Sequence, residues 1–246
     1  MARIARSLAP IGGILLSSAL LPSALSAQRV AIRVAEVRST LGIPTCSAAR
    51  TSFDGVRETA LEAQGLKRSD AQVVLEHLQD SLSALVRARP ADVDLQFDLA
   101  VVLGARTDVD NGRNKLRTAQ ELAEQIHRVL ALDPSHPGAQ YLLGRLNAAV
   151  MRMSSVSRFV ATRFLGGSAL SGVSWEEARR LLESAAEGDP CLVDAEYELA
   201  KLYVDRGEPS RAVDPLRRML RVRATDPHRR AVMDKGLTLL ESIGRR

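Results

Sequence analysis

The stretch Val193–Asp226, VDAEYELAKLYVDRGEPSRAVDPLRRMLRVRATD, decides the fold of this 246-residue chain. Its first half places apolar residues on one face of a helix. Its second half carries apolar residues at spacings of four and three, which is the period of another helix. A glycine separates the halves, where a turn is expected. The positions that carry this pattern are Leu199, Ala200, Tyr203, Gly207, Ala212, Leu216 and Met219.

The same apolar stripe occurs upstream, so the chain contains an internal repeat. In each upstream copy the stripe precedes a proline that closes the helix. These copies are Leu78, Leu82 and Leu85 before Pro90; Leu122, Ile126 and Val129 before Pro134; and Ala178, Leu182 and Ala185 before Pro190. The copy in Val193–Asp226 keeps the phase but has Ala224 in place of the proline.

A second pattern follows each proline, in which a small residue stands between larger ones. The three positions lie nine, ten and thirteen residues after the proline: Leu99, Ala100 and Leu103; Leu143, Gly144 and Asn147; Leu199, Ala200 and Tyr203. Asn147 is the one weak match. Because a small residue lets two helices approach closely, the alternation predicts stacked helical hairpins.

This pattern resembles the tetratricopeptide repeat (TPR), in which a helix A with a Leu-Gly pair is followed by a helix B and a proline. The family period is about 34 residues, whereas the prolines here stand 44 and 56 residues apart. The surplus residues lie around Arg106–Lys115 and Met151–Ser174. The sequence therefore predicts an all-α protein, an α-solenoid of three or four TPR-like helical hairpins with two insertions and a C-terminal capping helix.

The longer run from His136 to Met219 is similar to the helical region of the regulator-of-microtubule-dynamics family. The likeness lies in HPGAQYLLGRLNAAV, SRFVATRFLGG and SWEEARRLLESAAEGDP, and in the elongated middle of the repeat. That family is described by association with microtubules and membranes. An exported chain of bacterial style would meet no microtubules, so the resemblance implies the fold and leaves the role open.

Two serines predict where helices begin. Ser69 with Gln72, and Ser174 with Glu177, have the spacing of capping boxes, in which a serine hydroxyl accepts a hydrogen bond from a free amide of the first turn.

The first 27 residues have the layout of a secretory signal peptide. Arg3 and Arg6 precede an apolar run, and small residues then offer cleavage after Ser26 or after Ala27. The mature chain is therefore expected in the periplasm or outside the cell. The expected domains are the signal peptide (1–27), an N-terminal helical or loop segment (28–66), TPR-like repeats (67–224) and a C-terminal capping helix (225–246).

The composition excludes wholesale disorder, since 46% of the residues are hydrophobic. The formal charge of +5 falls to +3 without Arg3 and Arg6, which does not indicate a nucleic-acid partner. Basic residues concentrate near the C-terminus, with ten Lys or Arg against four Asp or Glu from Arg211 to Arg246. A solvated helix surface or an acidic partner accounts for this excess.

The chain has two cysteines, Cys46 and Cys191, and neither has metal-ligand spacing to another cysteine or histidine. In an oxidising compartment they have two interpretations. They form a disulfide, or they are two separate small apolar residues.

The TPR resemblance implies that the fifth residue of each helix A lines a concave groove. These residues are Phe97, Tyr141 and Tyr197, three aromatics in register in a chain with 3% aromatic residues. Arg145 and Lys201 lie four residues further along the same face. Such a groove is suited to an extended peptide with acidic groups or a free carboxylate. In the alternative interpretation the rings pack against the next helix and the cations are solvated.

The insertion from 151 to 173 supports a second hypothesis. Val156, Phe159, Val160, Phe164 and Leu165 fall on one apolar face, with arginines beside it. With the basic C-terminus, such a helix indicates an envelope structural protein that lies on a membrane surface. The same helix is also suited to cover the groove. In the alternative interpretation the helix completes the core.

No residue pattern predicts catalysis. The four histidines are scattered and none pair at the spacing of a zinc helix. Asp108, Asp110 and Asn111 match only part of a calcium loop and are expected in an exposed polar loop. The sequence predicts a non-enzymatic scaffold, with no cofactor and no metal, that binds a protein or peptide partner. It leaves the oligomeric state open.

Overall fold

Apolar residues at every third or fourth position put most of the chain into helices. The computed structural model describes residues 45–46, 56–155, 172–224 and 226–245. Within these ranges there are nine α-helices: α1 Val56–Ala63, α2 Arg68–Ala88, α3 Val93–Val109, α4 Gly112–Leu132, α5 Pro137–Met151, α6 Trp175–Gly188, α7 Val193–Asp205, α8 Val213–Leu220 and α9 Pro227–Gly244. A 3-10 turn, Pro209–Ala212, leads directly into α8.

The helices stack in the order that a TPR-like array requires. Each odd-numbered helix packs against the even-numbered helix that follows it and against the next odd-numbered helix, from α1 to α9. Four hairpins result, α1–α2, α3–α4, α5–α6 and α7–α8, and α9 packs on the last one. The predicted all-α, TPR-like solenoid with a capping helix is confirmed. The odd-numbered helices α1, α3, α5 and α7 are called the A helices below.

Small residues stand where the A helices meet their neighbours. A β-carbon added at Gly144 of α5 would lie 2.9 Å from Leu182 Cγ and 3.2 Å from the carbonyl oxygen of Ala178, both on α6. Ala200 of α7 has no exposed surface. The recurring small residue therefore marks close helix contacts, as the pattern predicts.

One predicted capping box is half right and the other is wrong. The Ser174 hydroxyl accepts a hydrogen bond from the Glu177 amide at 3.0 Å and caps α6, while the Glu177 carboxylate bonds Arg180 instead of returning to the cap. Ser69 lies inside α2, which begins at Arg68, and its hydroxyl bonds the Asp70 carboxylate. Lys67 stands at the cap position, so Ser69 lies two residues past it, inside the first turn, and does not cap the helix.

The first group of surplus residues, around Arg106–Lys115, lengthens two helices instead of forming a loop. α3 has 17 residues and α4 has 21, and only 110 and 111 separate them. The prediction of an exposed loop is wrong at Asp110, which is 4% exposed. Its carboxylate accepts hydrogen bonds from Thr118 Oγ1 at 2.7 Å and Gln72 Nε2 at 3.1 Å. Asp110 therefore holds α2, α3 and α4 together.

The signal peptide 1–27 and most of the segment 28–66 lie outside the described residues, as do the five apolar residues of the insertion: Val156, Phe159, Val160, Phe164 and Leu165. Helix α1 belongs to the stacked array, so the hairpins begin upstream of the predicted boundary at 67.

Two short strands join distant parts of the chain. Thr45–Cys46 (β1) pairs in parallel with Arg223–Ala224 (β2), which connects α8 to α9. Cys46 forms a disulfide with Cys191, just before α7, and its side chain is buried. Of the two interpretations of Cys46 and Cys191, the disulfide is the one that the structure contains. The Cys191 carbonyl also accepts a hydrogen bond from Arg229 Nε at 2.9 Å.

Candidate partner-binding surface

Because successive A helices are neighbours, residues at equal positions along them form a row across the array. The fifth and ninth positions of α3, α5 and α7 give the residues that the sequence predicted for the groove. We call the half-buried members of these two rows the A-helix surface: Val101, Tyr141, Arg145, Tyr197 and Lys201.

Phe97 does not belong to this surface, which corrects the predicted row of three rings. Its ring is 5% exposed and lies between α1 and α5. The Arg57 guanidinium stands 4.5 Å above it, and the His136 ring centroid lies 4.4 Å away. A β-carbon at Gly138 would collide with it. Phe97 therefore contributes core packing, in line with the alternative interpretation of the row.

Tyr141 lies where the two largest hydrophobic cores meet. Its ring contacts the core of α1 to α5 and also the core of α5 to α9. Burial raises the pKa of the Tyr141 phenol, and the nearby carboxylates of Asp194 and Glu198 raise it further. The phenol therefore stays protonated and uncharged at physiological pH.

Tyr197 lies further along the row on α7 and is half-buried against the second core. The Lys201 ammonium lies 5.4 Å from the centre of its ring, within the range of a cation–π contact. The two tyrosines supply the aromatic part of the A-helix surface.

The two predicted groove cations are already paired with carboxylates of the chain. Arg145 Nη2 donates to both oxygens of Asp108 on α3, at 2.6 and 2.7 Å. Lys201 Nζ donates to Glu198 Oε1 at 2.7 Å. Both cations remain about one third exposed, at 30% and 35%. They are oriented by their own partners, and a ligand would share them.

A second arginine extends this network toward the end of α7. Arg152, just after α5, donates from Nε to Asp205 at 2.6 Å, and its Nη2 lies 3.6 Å from Glu198 Oε2. The surface thus alternates acidic and basic groups around two tyrosines, with little net charge. Such a surface favours contacts that are specific in geometry over general electrostatic attraction.

Sequence reasoning missed Arg57 and its carboxylate partner Asp98. Asp98 has no exposed surface, and its Oδ1 lies 3.6 Å from Arg57 Nε. Burial raises the pKa of the Asp98 carboxyl to about 6, although the Arg57 charge opposes the shift. The repeat spacing is the sequence signal for Arg57. Arg57 stands 44 residues before Val101, and Pro90 and Pro134 are also 44 residues apart.

Another group of charged residues packs around a tyrosine near the end of the array. Between α6, α7 and α8 a shallow cavity is lined by Glu183, Tyr203 and Arg211 among others. Tyr203 donates to Glu183 at 3.2 Å, and Arg211 lies 4.5 Å from the Tyr203 ring. Within the described ranges no group of three His, Cys, Asp or Glu is placed to hold a metal, and no helix is long and apolar enough to cross a membrane.

Most of the chain matches one family model. The family model described as "Regulator of microtubule dynamics protein 1-3" matches residues 60–244. Among solved structures, the crystal structure of yeast Tom70 matches this chain with 9% sequence identity and a TM-score of 0.26. The match covers 93% of this chain and 76% of the Tom70 chain. No curated protein matches the chain.

Proposed function

We propose that this chain, which belongs to the family of regulator of microtubule dynamics proteins 1-3, is a non-catalytic scaffold that binds an extended protein or peptide partner on its A-helix surface. A TPR-like array is an architecture for protein interaction, because stacked hairpins present a long continuous face. The observation that carries the proposal is the pair Tyr141 and Tyr197, two half-buried rings at the same position of successive A helices.

The chemistry of the surface supports an extended peptide. Rigid aromatic rings supply contact area at low entropic cost, and tyrosines are frequent among residues that dominate binding energy. Arg145 and Lys201 beside them are held in place by Asp108 and Glu198, so their side chains lose little conformational freedom on binding.

Capture of partners with matched variants tests the proposal. Wild type and Tyr141→Ala plus Tyr197→Ala are used as baits for envelope and secreted proteins, and recovery is quantified by mass spectrometry. We expect the double variant to lose about tenfold or more of the specific partners. Tyr141→Phe plus Tyr197→Phe keeps both rings and should retain them.

A control outside the surface separates this effect from general loss of apolar area. Leu132 at the end of α4 is 43% exposed, and Leu132→Ala should leave recovery unchanged. Equal recovery by wild type and by a folded double alanine variant, as judged by circular dichroism, contradicts the proposal.

We also propose that the chain is exported by residues 1–27 and works in the periplasm or outside the cell. The Cys46–Cys191 disulfide supports this, because such bonds persist in oxidising compartments. Expression of the full chain in a bacterium, followed by fractionation and intact mass measurement, tests it. We expect a periplasmic species that lacks 26 or 27 residues, and a variant without 1–27 should stay in the cytoplasm. Full-length mass in the cytoplasm contradicts export.

Peripheral contact with a membrane is a second proposal. Arg221 and Arg223, between α8 and α9, are exposed and belong to the basic C-terminal region. Flotation with vesicles that contain anionic phospholipid separates the two roles, because only the membrane role predicts that the protein rises with the vesicles.

A further inference from the structure

The junction of α3 and α4 contains the dipeptide Asn111–Gly112, and both residues are exposed. Gly112 has a φ of 51°, in the left-handed region that favours glycine. Outside its own turn, a β-carbon added at Gly112 would meet no described atom within 4 Å. Backbone conformation, and not lack of space, therefore selects glycine after Asn111.

The backbone N–H of Gly112 takes no part in the hydrogen-bond ladder of α4. That ladder begins with the Lys115 amide, which donates to the Asn111 carbonyl at 3.2 Å. Amides of the first turn stand before that bond and have no partner inside the helix. The Gly112 nitrogen is thus accessible to solvent, and no side chain of its own shields it.

The side-chain amide of Asn111 is not held by the helix either. Asn111 stands at the cap position of α4, yet its side chain makes no capping hydrogen bond. The side chains at the same position of α3, α6 and α9 each accept a hydrogen bond from the first turn, namely Asp92, Ser174 and Asp226. The amide carbon of Asn111, its Cγ atom, can therefore turn toward the Gly112 nitrogen.

We propose that Asn111 is a site of spontaneous deamidation, a modification in which water is the co-reactant. The Gly112 nitrogen loses its proton to solvent and attacks Asn111 Cγ, and the new nitrogen–carbon bond closes a five-membered succinimide ring. The bond from Cγ to the side-chain nitrogen breaks, and that nitrogen takes up a proton and leaves as ammonia. Water then opens the ring at either of its carbonyls, which gives aspartate or isoaspartate without any change of oxidation state.

The two products affect the fold differently. Aspartate puts a carboxylate at the cap of a helix that has no acidic residue in its first turn, which suits the helix dipole. Isoaspartate routes the main chain through the former side chain and adds one carbon to the backbone. The other residue between α3 and α4 is Asp110, whose buried carboxylate accepts hydrogen bonds from Thr118 and Gln72. The extra carbon therefore disturbs the contact that holds α2, α3 and α4 together.

The other two asparagines of the chain are matched controls. Asn114 is exposed on α4, but the nitrogen that follows it belongs to Lys115 and already donates to the Asn111 carbonyl. Asn147 is 4% exposed inside α5. Both precede residues that carry side chains, so neither has the accessible nitrogen that Gly112 supplies.

Peptide mass spectrometry of the full chain, aged at body temperature and mildly alkaline pH, tests the site. We expect Asn111 to react about tenfold faster than Asn114, a difference of about 1.4 kcal/mol in the activation free energy. The rate at Asn111 should fall at mildly acidic pH, because the Gly112 nitrogen attacks after it has lost a proton. Equal rates at Asn111 and Asn114, or no conversion at Asn111, overturn the proposal.

Variants separate the new charge from the altered backbone. Asn111→Asp copies the aspartate product and should keep or slightly raise the midpoint of urea denaturation. Asn111→Gln keeps an amide but would have to close a less favourable six-membered ring, so it should stay unmodified. The midpoint of aged wild type should fall in proportion to its isoaspartate content, while that of aged Asn111→Gln should not change. An equal loss in both aged proteins overturns the proposed effect on the fold.

Discussion

Helices α3 and α7 carry the same pair of neighbours, an aromatic ring followed by a carboxylate, and the array uses them differently. On α3, Phe97 is buried and the Asp98 carboxylate lies 3.6 Å from Arg57 without a hydrogen bond. On α7, Tyr197 is half-buried and Glu198 accepts a hydrogen bond from Lys201 at 2.7 Å. Position along a helix therefore decides which face a residue occupies, and the neighbouring helices decide whether that face is core or surface.

The largest expected effect concerns the disulfide, which ties β1 to the hairpin of α7. Its cysteines are 145 residues apart, so Cys46→Ser plus Cys191→Ser should lower the free energy of unfolding by about 5 kcal/mol in the chain-entropy model. Urea denaturation measures this. Wild type with reductant should lose a similar amount, and an unchanged midpoint in both would show that the bond does not stabilise the fold.

The rings of Phe97 and Tyr197 give the next test, because each is the fifth residue of its helix. Phe97→Ala removes a buried ring and should cost about 3 to 5 kcal/mol. Tyr197→Ala removes a half-buried one and should cost about 1 kcal/mol. Equal losses in urea denaturation would contradict the assignment of Phe97 to the core and Tyr197 to the surface.

The buried carboxyl group of Asp98 on α3 should make the free energy of unfolding depend on pH. The pKa of Asp98 is raised by burial from 3.8 to about 6, so the folded chain holds this proton more tightly than the unfolded chain. Its contribution is present below pH 4 and is lost as pH rises through 6. Relative to wild type, Asp98→Asn should therefore gain about 2 to 3 kcal/mol between pH 4 and pH 7. A difference that does not change with pH contradicts this.

Asp133 provides a control of opposite sign for the pH experiment. A hydrogen bond from the Ser135 hydroxyl lowers the pKa of the Asp133 carboxyl. Its contribution is present above the unfolded pKa and is lost as pH falls. Asp133→Asn should therefore lose stability relative to wild type as pH rises, although weakly because the group is exposed.

The sequence predicted the hairpins because the stripe and the small residues repeat with a fixed phase. Gly144 and Ala200 both lie at helix contacts, and the Gly207 turn has the positive φ of 76° that glycine adopts readily. These features depend on the spacing of nearby residues, which can be read directly from the sequence.

The candidate site was predictable only in part, because it depends on which helices meet. The repeat spacing predicted Tyr141 and Tyr197, but no sequence feature next to Phe97 shows that Arg57 covers its ring. The pairing of Arg145 with Asp108 joins residues 37 positions apart, and repeat spacing alone does not specify it. Arg57 stands 44 residues before Val101, so the repeat spacing is the one signal for it in the sequence.

The close approach of α5 to α6 at Gly144 tests the stacked hairpins most directly. Gly144→Val should lower the free energy of unfolding by about 1 to 3 kcal/mol, because the added carbons meet Leu182 and the carbonyl of Ala178. Ala149→Val on the exposed side of α5 is the matched control, expected within about 0.5 kcal/mol of wild type. If Gly144 faced solvent, valine would instead improve the helix and raise stability slightly. Urea denaturation gives the sign: a loss supports the stacked array, and a gain contradicts it.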